Sequence, residues 1–179
     1  MTKKELRLRV KTEIAAIDIA ERRRSALAVA EAVESIPEFK AAKNVMLYAS
    51  LPDELPTDVM ISRWKGEKHI FLPRVEGKDI VVVPYVEEML AVGAFGIKEP
   101  KDVEAVSAEV IDFVVVPGRV FDKEGLRIGR GKGYYDRFFA QFSADRRPYA
   151  VGVGFSCQMT DDLSGVAEPH DFVLDKVLV

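Results

Sequence analysis

Five short runs of apolar residues stand out in a sequence of otherwise mixed character. They cover residues 45–49, 69–72, 80–84, 113–116 and 150–153, and each is four or five residues long. Runs of this kind are typical of strands buried on both faces of a sheet. Helical patterns separate them at residues 57–65, 87–92, 107–110 and 134–142. This alternation predicts an α/β fold, a three-layer α/β/α domain on a mostly parallel sheet.

The N-terminal segment has a different pattern. Apolar residues recur there in steps of three and four, which predicts helix from residue 2 to about residue 36. Thr2 and Glu5 have the spacing of a capping box. Asp18 is placed to cap a second helix, so we expect two helices, with Pro37 ending the second.

The 179 residues fit one domain, and we expect residues 1–179 to form it. Apolar residues make up 48% and charged residues 31%, which excludes a disordered chain. Residues 91–108, rich in glycine, proline and charge, are expected to form a long functional loop. Residues 172–179 are expected to form a terminal strand.

The net charge of −3 gives no overall attraction to nucleic acid or to an anionic membrane. A single cysteine, Cys157, cannot form an intramolecular disulfide, which favours a reducing compartment. No apolar run is long enough for a transmembrane helix, and charged residues stand where a signal peptide needs apolar ones. We therefore expect a soluble, cytoplasmic protein. We also expect a monomer whose partners are small molecules, with no nucleic acid and no membrane.

A glycine-rich loop, residues 125–133, follows the run at 113–116 and leads into the helix predicted from Tyr134. It contains four glycines, at Gly125, Gly129, Gly131 and Gly133, whose backbone N–H groups can approach an anion closely. Arg127, Arg130 and Lys132 add three cations. The loop is not a P-loop, because Gly133 follows Lys132 where Ser or Thr would bind Mg²⁺. The pattern predicts a phosphate cradle; the alternative is a surface loop with solvated basic side chains.

Two carboxylates are candidate ligands for the Mg²⁺ that accompanies polyphosphates. Asp136 stands one turn after the cradle, and Asp171 lies in the run Pro169-His170-Asp171-Phe172. Asp136 can alternatively compensate the charge of a helix start, and Asp171 can be a turn residue.

The segment GLRIGRGKGYYDR, residues 125–137, with PGRVFD at 117–122, resembles the signature of the 5-formyltetrahydrofolate cyclo-ligase family, also called 5,10-methenyltetrahydrofolate synthetase. Further blocks in the family's order are KKELR at 3–7, LPDELPT at 51–57, LPR at 72–74, GIKEP at 96–100 and His170-Asp171 with Asp175. Arg119 departs from the family pattern, which usually has a small or apolar residue there.

The resemblance implies conversion of 5-formyltetrahydrofolate to 5,10-methenyltetrahydrofolate, with ATP as co-substrate and Mg²⁺ as cofactor. The product forms after phosphorylation of the formyl oxygen and ring closure, with release of ADP and phosphate. The implied fold is related to the sugar-phosphate isomerase and CoA-transferase group.

The resemblance also implies roles for individual residues. The implied ATP-binding residues are Lys3, Lys4, Glu5, Leu6, Arg7, Arg127, Ile128, Gly129, Arg130, Gly131, Lys132, Gly133, Tyr134 and Tyr135. Those implied to bind the folate are Ala49, Glu54, Phe95, Arg130, Gly131, Lys132, Gly133 and Tyr134. Lys132 and Arg130 are expected to be catalytic, and Asp136 and Asp171 to hold Mg²⁺.

Two other functions remain open at this point. A sugar-phosphate isomerase or CoA transferase on the same fold would not need ATP. A non-enzymatic nucleotide- or folate-binding module would bind both compounds without producing ADP.

Overall fold

The central element of the computed structural model is a six-stranded sheet; the structure describes the backbone of residues 1–179 and every side chain except that of Ala94. In chain order its strands are β1 (Asn44–Met46), β2 (His69–Glu76), β3 (Asp79–Pro84), β6 (Phe113–Val116), β9 (Tyr149–Val153) and β10 (Lys176–Leu178). Their spatial order is β10-β9-β6-β1-β2-β3, and every neighbouring pair is parallel except the antiparallel pair β2–β3. The sheet is therefore mostly parallel, as predicted.

Two small antiparallel hairpins complete the strands. The first joins β4 (Leu90–Val92) to β5 (Lys98–Pro100), and the second joins β7 (Val120–Phe121) to β8 (Arg127–Ile128). The second hairpin brings the start of the glycine-rich loop back beside the end of β6, since Arg119 N–H donates to Ile128 O at 2.7 Å.

Five α-helices surround the sheet: α1 (Lys3–Ala15), α2 (Ile19–Glu34), α3 (Pro37–Ala41), α4 (Asp58–Trp64) and α5 (Tyr134–Ala140). The predicted capping box is present, because Glu5 N–H donates to Thr2 Oγ1 and Thr2 N–H donates to Glu5 Oε2. Asp18 caps α2 as predicted, accepting from Glu21 N–H at 2.8 Å. None of the described helices is long and apolar enough to cross a membrane.

Alternating side chains of the sheet divide the core into two layers. On β6, Phe113 and Val115 pack in one cluster with residues of α1 to α4, whereas Val114 and Val116 pack in the other with α5. All four side chains are fully buried. Because both faces of this strand are covered, its sequence is continuously apolar and does not alternate between apolar and polar residues. The two clusters make the domain a three-layer α/β/α structure.

The crossovers from β1 and β6 run in opposite directions. The chain leaves β1 through α4 to β2 on one side, and it leaves β6 through α5 to β9 on the other. Adjacent strands with diverging connections form a topological switch point, where the loops separate and leave a crevice outside the carboxyl ends of the strands.

Several boundaries differ from the prediction. The segment 87–92 is not a helix but a 3-10 turn, Glu87–Met89, followed by β4, and most of the predicted loop 91–108 is occupied by the β4–β5 hairpin. The predicted helix at 107–110 is a single 3-10 turn, Ala108–Val110. Strands this short are fixed by pairing with each other and with β2, so local sequence does not define them.

Three further helix or strand ends differ from the predicted ones. Helix α2 ends at Glu34, and Pro37 begins α3 rather than ending α2, because proline needs no backbone hydrogen bond at the first helical position. The first apolar run forms a ladder only over Asn44–Met46. The terminal strand is limited to Lys176–Leu178.

Candidate active site

A cavity of about 590 Å³ opens at the switch point between β1 and β6. Its lining comes from the loop after β1, from the glycine-rich loop, from α1 and from the segment that contains Asp171. Two walls differ in character. The charged wall consists of Lys3, Arg7, Arg127, Lys132, Asp136, Glu168, His170 and Asp171; the apolar wall consists of Pro73, Val75, Ile80, Phe95 and Ile97.

The glycine-rich loop presents its backbone to the charged wall. Gly131 and Gly133 have φ angles of +95° and +69°, values that favour glycine over any residue with a side chain. Among the described residues, none accepts a hydrogen bond from the backbone N–H groups of residues 129–133. Arg7 of α1 holds the loop by donating from Nε to Gly129 O at 2.8 Å. These N–H groups are therefore available to an anion.

Helix α5 begins directly after the loop, as predicted, but it has only seven residues. We therefore assign the positive potential of this wall to side chains and loop amides rather than to a helix dipole. Lys132 is exposed, and its Nζ lies 5.1 Å from the centroid of the Phe95 ring. No ion pair to Lys132 is formed by the side chains that the structure describes, so its charge is available to a ligand.

Arg127 is buried behind the loop. Its Nη2 donates to Asp136 Oδ1 at 3.0 Å, and its guanidinium lies 5.5 Å from the centroid of the Tyr135 ring. Burial lowers the pKa of Arg127, against the opposing effect of Asp136. Burial raises the pKa of Tyr135 above its usual value. Arg127 thus supports the cavity floor and fixes one oxygen of Asp136.

Lys3 joins α1 to the segment that contains Asp171. Its Nζ lies 3.2 Å from Glu168 Oε2 and 3.2 Å from Asp171 Oδ2. Burial opposes the charge of Lys3, but the hydrogen bonds to Asp171 and Glu168 outweigh it and raise its pKa. Burial opposes the charge of Asp171 as well, yet the Glu168 N–H and Lys3 hold its pKa below the usual value. Both groups carry their charge at neutral pH.

The residues expected to hold Mg²⁺ fit such an ion. Asp136 Oδ1 accepts from Arg127 and from the Phe172 N–H, and Asp171 Oδ2 accepts from Lys3 and the Glu168 N–H. The described hydrogen bonds leave Asp136 Oδ2 and Asp171 Oδ1 without a donor. Both carboxylates line the cavity, and hard oxygen ligands are what Mg²⁺ prefers.

The geometry also groups Asp171 with other residues. Potential ligand atoms of Glu168, His170 and Asp171 lie within 4.8 Å of one another, and Asp136 is outside this group. The pairing of Asp136 with Asp171 at one ion therefore stays a prediction.

Arg130 is already paired with two carboxylates of the loop after β1. Its Nη2 donates to Asp53 Oδ1 at 2.5 Å and to Glu54 Oε1 at 2.9 Å, and its Nε donates to Glu54 Oε1 at 3.1 Å. Burial opposes the charge of Arg130, but these partners outweigh it and raise its pKa. Arg130 is therefore less free than the sequence suggested, because its Nη1 also donates to Asp53, at 3.5 Å from Oδ2.

Arg119 extends this network. It is only 8% exposed, and its Nη2 pairs with Asp53 Oδ2 while its Nη1 donates to Asp53 O at 3.2 Å. Burial opposes the charge of Asp53, but Arg130 and Arg119 outweigh it and lower its pKa. The chain Arg119–Asp53–Arg130–Glu54 ties the two loops of the switch point together.

The aromatic residues assigned to the folate stand near each other. The ring centroids of Phe95 and Tyr134 are 6.4 Å apart. Phe95 is 59% exposed and has a φ of +57°, an unusual backbone conformation for an aromatic residue and one that is enriched at functional sites.

Most of the predicted site residues line the cavity, and three do not. Besides residues already described, Ala49, Glu54, Ile128, Tyr134 and Tyr135 contribute to the lining. Lys4 is exposed, Glu5 caps α1, and Leu6 is 4% exposed in the core. Their assignment to ATP rested on the continuous segment 3–7, but a helix turns only one side toward the cavity, and here that side carries Lys3 and Arg7.

Sequence reasoning missed several lining residues. Tyr48 and Ile80 belong to apolar runs, which the sequence assigns to the core, and Pro73 and Val75 follow directly after the run at 69–72. Asp53 is not a lining residue but pairs with Arg130 and Arg119, and its acidic character beside Glu54 in LPDELPT was the signal that could have identified it. Glu168, two residues before His170, gave a similar signal.

Fold and site together define an α/β protein whose cavity, at the switch point of a mostly parallel sheet, combines an anion-attracting wall with an apolar one. The sequence model of the 5-formyltetrahydrofolate cyclo-ligase family matches residues 1–179. The chain is 30% identical over 189 residues to the 5-formyltetrahydrofolate cyclo-ligase of Mus musculus, covering 98% of this chain and 92% of that protein. The chain belongs to the 5-formyltetrahydrofolate cyclo-ligase family.

Solved structures agree. The NMR structure of Aquifex aeolicus 5,10-methenyltetrahydrofolate synthetase has 38% sequence identity and a TM-score of 0.86, covering 99% of this chain and 89% of that one. The 5,10-methenyltetrahydrofolate synthetase of Mycoplasma pneumoniae shares the fold, with a TM-score of 0.79 at 23% identity, over 99% of this chain and 98% of that one.

Proposed function

We propose that the protein converts 5-formyltetrahydrofolate to 5,10-methenyltetrahydrofolate and uses ATP to drive the reaction. The observation that carries this proposal is the pairing of the two walls in one cavity of about 590 Å³. The charged wall suits the phosphates of ATP, and the apolar wall suits a flat heterocyclic ring. Membership of the cyclo-ligase family supports the choice of folate as the ring compound.

The formyl group is an amide, and its carbon resists attack because the ring nitrogen N5 donates electrons into the carbonyl. In the proposed reaction the formyl oxygen attacks the γ-phosphorus and ADP leaves. N10 then attacks the activated formyl carbon, phosphate departs with the former formyl oxygen, and the N10 proton passes to solvent. The steps need no nucleophile from the protein, so its contribution is positioning and charge stabilisation.

The charged wall supplies that stabilisation. Lys132 and the backbone N–H groups of residues 129–133 are assigned to the phosphates because no described residue occupies them. Arg7 and Lys3 close this side from α1. Arg130 lines the cavity, adds positive charge beside the phosphates and keeps Glu54 in place, and Glu54 is assigned to the folate.

We assign Mg²⁺ to the free oxygens of Asp136 and Asp171. When bound there, Mg²⁺ would neutralise part of the charge on the phosphate oxygens. Arg127 and Lys3 hold the two carboxylates in position. Arg127 pairs with Asp136 Oδ1 and Lys3 pairs with Asp171 Oδ2, so the other oxygen of each carboxylate is left for the ion.

The monomeric state stays a prediction. The cytoplasmic location stays a prediction from the single cysteine.

The test is direct. Protein, Mg²⁺, ATP and 5-formyltetrahydrofolate are mixed, and the near-ultraviolet absorbance of the methenyl product is followed together with ADP. The expected result is absorbance that rises with equimolar ADP and that fails to rise without ATP. Binding of both compounds with no ADP would support a binding module instead, and turnover without ATP would support an isomerase or transferase.

A further inference from the structure

Glu99 is a buried carboxylate in the apolar wall, with no role in the chemistry above. It lies on β5, is 5% exposed and lines the cavity. Its Oε1 accepts from the Val75 N–H of β2 at 3.0 Å, a bond that attaches the β4–β5 hairpin to the main sheet. The described hydrogen bonds include none to Oε2. One oxygen of Glu99 thus has a structural partner, and the other has none.

The lack of a cation beside Glu99 separates it from other acids of the cavity. Four lining carboxylates each have a Lys or Arg nitrogen within 4.0 Å, namely Glu54, Asp136, Glu168 and Asp171. Among the side chains that the structure describes, none brings a cation that close to Glu99. Oε2 is not among the fully buried side-chain atoms that lack a partner, and Glu99 lines the cavity. The apolar wall therefore contains a carboxylate oxygen that can accept hydrogen bonds from N–H or O–H donors of a ligand.

Gly93 keeps the space around this acceptor open. The partner of Glu99 in the β4–β5 ladder is Ala91, but its side chain extends to Gly93, where an added Cβ would overlap Oε2. Any other residue at 93 would displace the carboxylate. The glycine therefore keeps Oε2 where it is.

We infer that Glu99 binds the paired N–H donors on the pyrimidine edge of the substrate's ring. This inference rests on the proposed function, because it takes the occupant of the apolar wall to be 5-formyltetrahydrofolate. The pyrimidine of that ring carries an amino group next to a ring N–H, so two parallel donors face one carboxylate. Glu99 is then the residue that selects a 2-amino-4-oxopyrimidine over rings without the amino group.

The surroundings suit such a ring. Phe95 precedes Glu99 by four residues and leans toward Tyr134, so aromatic surface lies near the acceptor. Ile80, Val75 and Ile97 supply apolar contacts. A flat ring that fills this wall gains apolar burial on its faces and meets the carboxylate only at its edge, an arrangement typical of specific pockets.

The test uses one protein change and one ligand change. Glu99→Gln keeps an oxygen that can accept from the Val75 N–H and places an NH₂ group at the position of Oε2. This NH₂ is itself a donor, so it cannot accept a hydrogen bond from the N–H groups of the ring. The ligand change is an analogue of 5-formyltetrahydrofolate with hydrogen in place of the 2-amino group. Affinities are measured by calorimetry, and Glu104→Gln, an exposed glutamate on the following segment, is the matched control.

The wild-type protein is expected to bind the analogue about tenfold to a hundredfold more weakly than the parent compound. Glu99→Gln is expected to lose a similar factor for the parent and to discriminate the two ligands only weakly, because the contact is already gone. Its ATP affinity and melting temperature should match those of the wild type, and Glu104→Gln should behave as wild type throughout.

Equal affinity of the wild-type protein for parent and analogue would overturn the role of Glu99, even if Glu99→Gln proved too unstable to measure. Full discrimination retained by a folded Glu99→Gln would overturn it as well. In both cases the wild type would still convert 5-formyltetrahydrofolate, so the proposed function would stand. A wild-type protein that neither binds nor converts 5-formyltetrahydrofolate would instead overturn the proposed function, and this inference with it.

Discussion

In the charged wall, acids and bases already hold each other: Lys3 pairs with Asp171, and the buried Arg127 pairs with Asp136. In the apolar wall, Glu99 has the Val75 N–H as partner but no cation within reach among the described side chains. The acids Asp136 and Asp171 of the first wall are held by cations of the protein, whereas Glu99 in the second wall is held only by a backbone N–H. Charged groups stabilise the transition state of phosphoryl transfer best when their positions are fixed in advance. A hydrogen-bond acceptor in the ring pocket increases specificity, because a ring without the matching donors leaves it unpaired.

The largest effect is expected at Lys132, a charged-wall cation without a described partner. Lys132→Ala should lower kcat about 100- to 1,000-fold, because losing one charge-stabilising donor typically costs about 3–4 kcal/mol in the transition state. The melting temperature should hardly change, since the side chain is exposed. Lys123→Ala, an exposed lysine outside the cavity, is the control for charge alone. Normal turnover by Lys132→Ala would remove this residue from the phosphate site.

Two of the acids of the charged wall, Asp136 and Asp171, should differ in their contribution to stability when each is replaced by Asn. Asp136→Asn and Asp171→Asn should both raise the Mg²⁺ concentration for half-maximal activity, since each loses a charged ligand. Only Asp136→Asn should also lower the free energy of unfolding markedly, by about 1–3 kcal/mol, because it leaves the buried Arg127 without its charged partner. Activity titrations with Mg²⁺ and urea unfolding measure the two effects. An unchanged Mg²⁺ requirement in either variant would exclude that residue as a ligand.

Arg119 tests whether pairing within the protein contributes to function. Arg119→Met should release Asp53 and loosen Arg130, lowering kcat/KM about three- to tenfold, roughly the loss of one ordinary hydrogen bond, because the effect reaches the substrate only through Arg130. Arg119→Lys should recover part of the loss, since it restores one cation beside Asp53. Arg146→Met, at an exposed arginine, serves as control. A full kcat/KM in Arg119→Met would show that Arg130 needs no such support.

The smallest effect concerns pH. The pKa of Asp53 is lower in the folded protein than its usual value of about 3.9, so its pairing stabilises the fold above that pH and is lost as the pH falls through the lowered value. The stability difference between wild type and Asp53→Asn should therefore be present at pH 7 and shrink below about pH 4. Urea unfolding at both values checks this, and a difference independent of pH would mean that Asp53 contributes nothing through its charge.

The features that were predicted correctly from the sequence are those that depend on residues close together in the chain. The caps at Thr2 and Asp18 and the fully buried strand β6 follow from residues a few positions apart, and the structure confirms them. The β4–β5 hairpin was missed, because its three-residue strands depend on each other and on β2.

Parts of the site were also missed because they depend on contacts between residues that are far apart in the sequence. Arg130 is 77 residues from Asp53, so its pairing with that acid has no local signal, and Arg130 was expected to be free for phosphate. Glu99 lies in a matched block, GIKEP, but only the fold reveals that its carboxylate is buried without a cation. Lys132 was predicted correctly as a residue of the cavity, because loop and cation are adjacent in the sequence.

The central claim is that the charged wall brings the γ-phosphate of ATP to the formyl oxygen of the ring compound on the apolar wall. It is tested most directly by labelling the formyl oxygen of 5-formyltetrahydrofolate with ¹⁸O and analysing the products of one turnover by mass spectrometry. If that oxygen is phosphorylated and leaves with phosphate, the label is found in inorganic phosphate. Label found in water, with unlabelled phosphate, would contradict the account.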